Sequence, residues 1–185
     1  MSHAAHRFSP RTLTITALIA LAIGVRLFIY YFPWVIPYNF TPILALGLFG
    51  GAWFTDRRTA FIVPLVAMAL SDLLIGLYPM LPLIYACVAG SVLLGFALRR
   101  TRITSIRVIL AAVGSASGFY LVTNFAVWLA SGMYPHTAAG LLASYVAGWP
   151  FYPATLAGTL FWSVALFGGY ALLSRRFPKL AAAPR

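Results

Sequence analysis

Six apolar stretches, joined by connections that alternate between arginine-rich and arginine-free, leave this chain few ways to fold. Arg7 and Arg11 precede the first stretch, and Arg57 and Arg58 separate the second from the third. Arg99, Arg100, Arg102 and Arg107 lie between the fourth and fifth, and Arg175, Arg176, Lys179 and Arg185 follow the sixth. The other three connections hold no lysine or arginine. Loops on the cytoplasmic side of a membrane carry an excess of Lys and Arg. The alternation therefore predicts an all-α integral membrane protein, a bundle of six transmembrane helices with both termini cytoplasmic. Five or seven spans would break the pattern.

A span needs about 20 apolar residues, which sets the expected helices at about Thr12–Phe32, Thr41–Phe54, Thr59–Leu77, Leu83–Leu98, Ile106–Ala130 and Ala154–Leu173. The second and fourth are short, which is tolerated where protein rather than lipid surrounds a helix. The organisation is a cytoplasmic tail (1–11), one membrane domain (12–174) and a second tail (175–185), with no separate soluble domain. The N-terminal run resembles a signal peptide, but no small-residue cleavage site ends it and more spans follow, so it reads as the first helix.

Composition agrees: 62% of residues are hydrophobic and 8% charged, against about 25% charged in soluble domains. The net charge of +11 does not indicate nucleic acid, because the basic residues sit in short clusters between apolar stretches, as loops at an anionic inner leaflet do. The expected setting is a bacterial cytoplasmic membrane. The single cysteine, Cys87, excludes an intramolecular disulfide framework.

The arginine-free connections are rich in aromatics and proline: Trp34 and Tyr38 in the first, Tyr78 in the second, and Tyr134, His136, Trp149, Phe151 and Tyr152 in the third. An interfacial aromatic belt accounts for them, and so does a rigid aromatic lid over an outward-facing pocket. The length of the last connection, residues 131–153, favours the lid, since long loops in compact proteins are usually functional or disordered, and aromatic content argues against disorder.

Polar residues within the spans form a layer. Arg26 lies about two-thirds of the way out along the first helix, with Asp72 and Asn124 at comparable depth in the third and fifth. Cys87 and Thr159 lie about a turn inside the outer ends of the fourth and sixth. Ionisable groups at such depth are costly and usually functional. An Arg26–Asp72 ion pair that only locks helices together is one account; a layer that floors a ligand site is the other. For Cys87 alone, a small buried apolar residue is the simpler account.

Small residues at four-residue spacing mark candidate helix contacts: Thr16, Ala20 and Gly24; Gly47 and Gly51; Gly114 and Gly118. The first set offers a face for a partner subunit. Enzyme motifs are nearly absent. The only acidic residues are Asp56 and Asp72, which excludes a two-carboxylate hydrolase or a carboxylate-rich metal site. No P-loop is present, so the chain does not itself hydrolyse ATP. His3, His6 and His136 have no metal-ligand spacing, so no intrinsic cofactor is expected.

Three groups of residues carry a resemblance to a family of small bacterial membrane proteins. The first is Asn39-Phe40-Thr41-Pro42-Ile43 with Ala45-Leu46-Gly47-Leu48-Phe49-Gly50-Gly51-Ala52. The second is Ala60-Phe61-Ile62-Val63-Pro64-Leu65 with Ser71-Asp72-Leu73-Leu74-Ile75-Gly76. The third is Thr123-Asn124-Phe125-Ala126-Val127-Trp128 with Tyr134-Pro135-His136-Thr137 and Gly140-Leu141-Leu142-Ala143-Ser144-Tyr145. Over about Asn39 to Gly168 the chain resembles the BtuM-type cobalamin transporters, which are similar to the six-helix S-components of energy-coupling-factor (ECF) vitamin transporters. The resemblance implies uptake of a corrinoid, with Cys87 as the cobalt ligand and a possible loss of cyanide from the cyano form. It also implies an ATP-hydrolysing partner module, which the Ala20/Gly24 face would dock. A soft thiolate suits cobalt, and Arg26 nearby would favour the thiolate. The candidate substrate-binding set is Cys87, Arg26, Asp72, Asn124, Tyr85, Trp34, Tyr38, Asn39, Tyr78, Tyr134 and His136. A transporter of another small vitamin, with Cys87 only packing, and a ligand-free membrane scaffold stay open.

Overall fold

The computed structural model describes residues 10–176. The expectations that fall on His3, His6, Arg7, Lys179 and Arg185 lie outside the described residues. Among the described residues there are eight α-helices: α1 (Pro10–Tyr31), α2 (Ile43–Trp53), α3 (Arg57–Ile75), α4 (Leu81–Arg99), α5 (Ser105–Ala130), α6 (Ala138–Gly148), α7 (Tyr152–Ser163) and α8 (Gly169–Arg176). A 3₁₀ turn at Trp149–Phe151 joins α6 to α7, and a π-helical turn at Val164–Gly168 joins α7 to α8, so 138–176 is one nearly continuous helical run.

Five of these stretches are long and apolar enough to cross a membrane: α1, α3, α4, α5 and the run from α6 to α8. The second expected span is a correction. α2 has 11 residues, about 16 Å of helix, half of the roughly 30 Å hydrocarbon core. It persists because protein encloses it: its residues from Ile43 to Ala52 are all buried. A helix that never meets lipid does not need to span it.

α2 is the axis of the bundle, packed most extensively on α4 and also on α3, α5 and α7, with α1 laid outside against α3. Glycines set its distance from α4. A Cβ on Gly51 would lie 2.3 Å from the Val92 carbonyl oxygen, and one on Gly95 2.4 Å from that of Leu48. The Gly47/Gly51 spacing therefore marks a true contact seam. The Gly114/Gly118 spacing does not, since a Cβ at either position meets nothing within 4 Å.

The turns follow local chemistry. Asp56 caps α3 by accepting hydrogen bonds from the Arg58 and Thr59 amides, both at 3.1 Å, an N-cap worth about 1 kcal/mol. Gly76 ends α3 with φ +118°, a conformation only glycine adopts without strain. Pro82 and Pro153 each lie within the first two residues of a helix, where a missing N–H costs nothing.

The last outer connection is a second correction. Residues 131–153 were expected as a lid loop before a sixth span at Ala154–Leu173; instead the helix begins at Ala138. Thr137 caps it through a 3.1 Å bond from the Gly140 amide, and the Ala- and Leu-rich segment that follows has high helix propensity. Side chains staple it to α5. Ser144 donates to the Asn124 carbonyl at 2.7 Å, Tyr120 to the Tyr145 carbonyl at 2.6 Å, and Ser117 and Tyr152 share a 2.8 Å bond. The connection that remains closes tightly, with the Trp128 indole donating to the Pro135 carbonyl at 3.0 Å.

Candidate functional site

The arginine-bearing turns gather at one end of the bundle. The Arg99 guanidinium donates to the Phe54 carbonyl at 2.9 Å, Arg57 stands 6.0 Å from the centre of the Phe96 ring, and Arg107 donates to the Arg102 carbonyl at 2.9 Å. Toward the opposite end, a cavity of about 230 Å³ opens among α1, α2, α3, α4 and α7. Ile43, Leu44 and Val88 give it an apolar floor and Phe119 an aromatic side, while Tyr30, Tyr38 and Tyr78 stand toward its mouth.

One charged side chain lines this cavity, Arg26. It projects from α1, and its Nη2 donates to Asp72 Oδ1 on α3 at 2.7 Å. The Tyr85 hydroxyl on α4 donates to the other carboxylate oxygen at 2.9 Å. Three helices thus meet on one carboxylate: the Arg26–Asp72 pair expected from depth is present, and Tyr85 adds a third partner. Exposure divides the pair: the Asp72 side chain is 0% exposed and that of Arg26 11%. A second Arg26 nitrogen, Nη1, faces the Met68 sulfur. Tyr78, in the turn after α3, has its hydroxyl pKa raised from 10.0, chiefly by burial and then by the Asp72 charge, with Arg26 partly opposing.

A smaller lobe of about 150 Å³ adjoins this one, with Asn39, Phe119 and Thr155 in the walls of both. Asn124 lines it, its Nδ2 donating to the Tyr120 carbonyl at 2.8 Å and its Oδ1 lying against Gly148. A Cβ on Gly148 would fall 2.1 Å from that oxygen, so any larger residue there would displace the Asn124 amide from this position. The backbone at Phe40 is seated on α7 by another glycine, since a Cβ on Gly158 would fall 2.7 Å from Phe40 Cα.

Of the residues expected at the site, Arg26, Tyr38, Asn39, Tyr78 and Thr159 line the main cavity, and Asn124 with Asn39 the smaller lobe. Asp72 and Tyr85 stand behind the wall and hold Arg26. The structure does not bring Trp34, Tyr134, His136 or Cys87 to either lobe. Trp34 is 77% exposed, and His136 is bonded to the Leu129 carbonyl at 3.1 Å. These positions, with Trp149 and Phe151 on the outer surface, form no lid over the main cavity. Cys87 precedes Val88, which lines the cavity, but a side chain one residue along a helix points about 100° away. Sequence reasoning missed Tyr30, Thr41, Thr155 and Tyr120, whose ring lies 5.0 Å from that of Tyr152. A usable signal existed in the four-residue spacings Tyr120/Asn124 and Thr155/Thr159, which place each pair on one helix face.

A family of unknown function, DUF6580, matches residues 6–180, and the chain belongs to this family. No curated protein and no solved structure matches it.

Proposed function

We propose that this chain is a membrane solute-binding protein for uptake of a small, vitamin-sized molecule, built on the plan of an S-component. The observation that carries this is the position of Arg26: an ionisable group at membrane depth, in the wall of a cavity, at the end away from the arginine-rich turns. Those turns mark the cytoplasmic side of a bacterial inner membrane, so the cavity opens outward. Intramembrane charges are costly, and those that face a cavity mark substrate and ion paths. The two lobes combine apolar walls with a few polar groups, the composition of small-molecule sites.

The cavity favours the small-vitamin form of this reading over the corrinoid form. Its volume of about 230 Å³ falls below the roughly 300–1,000 Å³ typical of drug-sized ligands, and a corrinoid is larger still. Cobalt ligation would also require Cys87 in a wall it does not join. Ala20 and Gly24 lie exposed on α1, with open space around Gly24, which supports α1 as the docking face for an ECF-type ATPase module.

The test is to purify the protein in lipid nanodiscs and identify small molecules that copurify by mass spectrometry, alongside absorption spectra with added cobalamin. A vitamin-sized solute supports the reading. A corrinoid spectrum that shifts with the parent protein and not with Cys87→Ser would restore the cobalt–thiolate form. No solute and no uptake in cells would favour a scaffold. Orientation is tested in a Cys87→Ser background, where cysteines at Trp34 and Thr137 should label from outside and those at Thr59 and Thr101 only from inside.

A further inference from the structure

We infer that the solute held at this site carries a carboxylate, or a comparable planar anionic group, that docks on the free edge of the Arg26 guanidinium. The inference rests on the solute-binding reading above and names the ligand's chemistry. Overall the Arg26–Asp72 pair is neutral, but a ligand does not meet it as neutral. The Asp72 carboxylate is 0% exposed and has both oxygens occupied, one by Arg26 and one by the Tyr85 hydroxyl. It offers nothing to a ligand. Arg26 lines the cavity. Guanidinium has five donors in a rigid fork and no acceptor, of which one is held by Asp72, another faces the Met68 thioether, and a third lies within reach of the neutral Tyr78 hydroxyl, so no anion other than Asp72 occupies it. Thioether sulfur is a weak acceptor, so a ligand oxygen at that edge is a better partner.

Nothing in either lobe offers a competing anion: the remaining polar lining is hydroxyl and amide, from tyrosines, threonines and the two asparagines Asn39 and Asn124. An ammonium group would therefore meet a cation with no carboxylate in reach, while a carboxylate can accept two parallel bonds from the fork. Asp72 is then a positioning residue. Anchored from α4 by Tyr85, it fixes the plane of the guanidinium, so that little side-chain freedom is lost when the ligand docks. The apolar floor takes the ligand's ring or chain, and the amide lobe takes a neutral polar end.

The experiment measures binding and thermal stabilisation of the full chain in nanodiscs by 4-phenylbutyrate, indole-3-propionate and 4-aminobenzoate. Each is compared with the primary amide and the amine of the same ring and chain length. At least one acid should bind about tenfold or more tighter than its amide, the worth of a charge-assisted hydrogen bond, and the amines should not bind. The variant Arg26→Met with Asp72→Leu removes both charges together, a change buried ion pairs often tolerate, and should abolish the preference. Amines or amides that bind as well as the acids, or a preference that survives in the double variant, overturn the inference and leave the solute-binding reading standing. No binding by any probe also overturns it, and the copurified solute then decides the broader reading by itself.

Discussion

The two ends of this bundle solve opposite problems with the same few residue types. At the arginine end, α2 and α4 approach until glycine Cα faces glycine Cα, with Gly51 and Gly95 so close that neither admits a methyl group. At the other end the helices part, and tyrosines, threonines and asparagines border a cavity rather than fill it. Glycine appears at both ends with different work. Gly51 and Gly95 bring helices together, whereas Gly148 and Gly158 make room for Asn124 and for the backbone at Phe40. The closed end is where van der Waals packing holds the bundle without help from water exclusion, and the open end is where polar groups are left to meet a solute.

The comparison breaks most readily at the ion pair. Asp72→Ala leaves Arg26 without its partner beside the cavity and should cost roughly 3–5 kcal/mol of stability, while the paired change to Met and Leu should recover most of that. Thermal unfolding in nanodiscs checks both, and an unchanged midpoint for Asp72→Ala would mean that the pair holds nothing together. Next comes the seam. Gly95→Ala places a Cβ 2.4 Å from the Leu48 carbonyl oxygen, against backbone that cannot yield cheaply, for an expected loss of about 2–3 kcal/mol.

Gly24→Ala is the matched control on the exposed face of α1. No atom lies within 4 Å of the new methyl, so the change should be neutral or stabilising by up to about 1 kcal/mol through helix propensity. If the two glycine variants behave alike, the contrast between seam and open face fails.

The smallest effect belongs to the cavity mouth. The Tyr78 pKa lies above 10.0 because burial and the Asp72 charge disfavour the phenolate. A raised folded-state pKa contributes stability that is complete below the unfolded value near 10 and is lost as pH climbs through the folded value. Tyrosinate absorbance followed with rising pH should therefore show a late-titrating component that shrinks by one tyrosine in Tyr78→Phe. A late component of unchanged size in that variant would place Tyr78 in open water.

Much of this was legible without coordinates. The arginine alternation marks which turns share an end, and depth along each helix puts Arg26 opposite Asp72 because 1.5 Å per residue is the same ruler in every span. The four-residue glycine spacing located the α2 seam but equally suggested Gly114/Gly118, because spacing reports a helix face and not what stands opposite it. The aromatic connections misled for a related reason. Trp34, Tyr134 and His136 have the composition of a lid, yet composition does not say whether a ring covers a cavity or closes its own turn.

Sequence alone determined that this chain is a helical membrane protein, which turns lie together, and that one arginine and one aspartate are embedded at matching depth. Apolar length and charge clustering are properties of each segment by itself, and the bilayer acts on each segment directly. Tertiary structure decided the rest. It decided that α2 is a buried half-length axis, that the expected outer loop is helix stapled to α5, and that Arg26 enters the cavity wall while Asp72 and Cys87 do not. Those outcomes depend on rotation about each helix axis and on neighbours distant in sequence, where one residue's shift turns a side chain by about 100°.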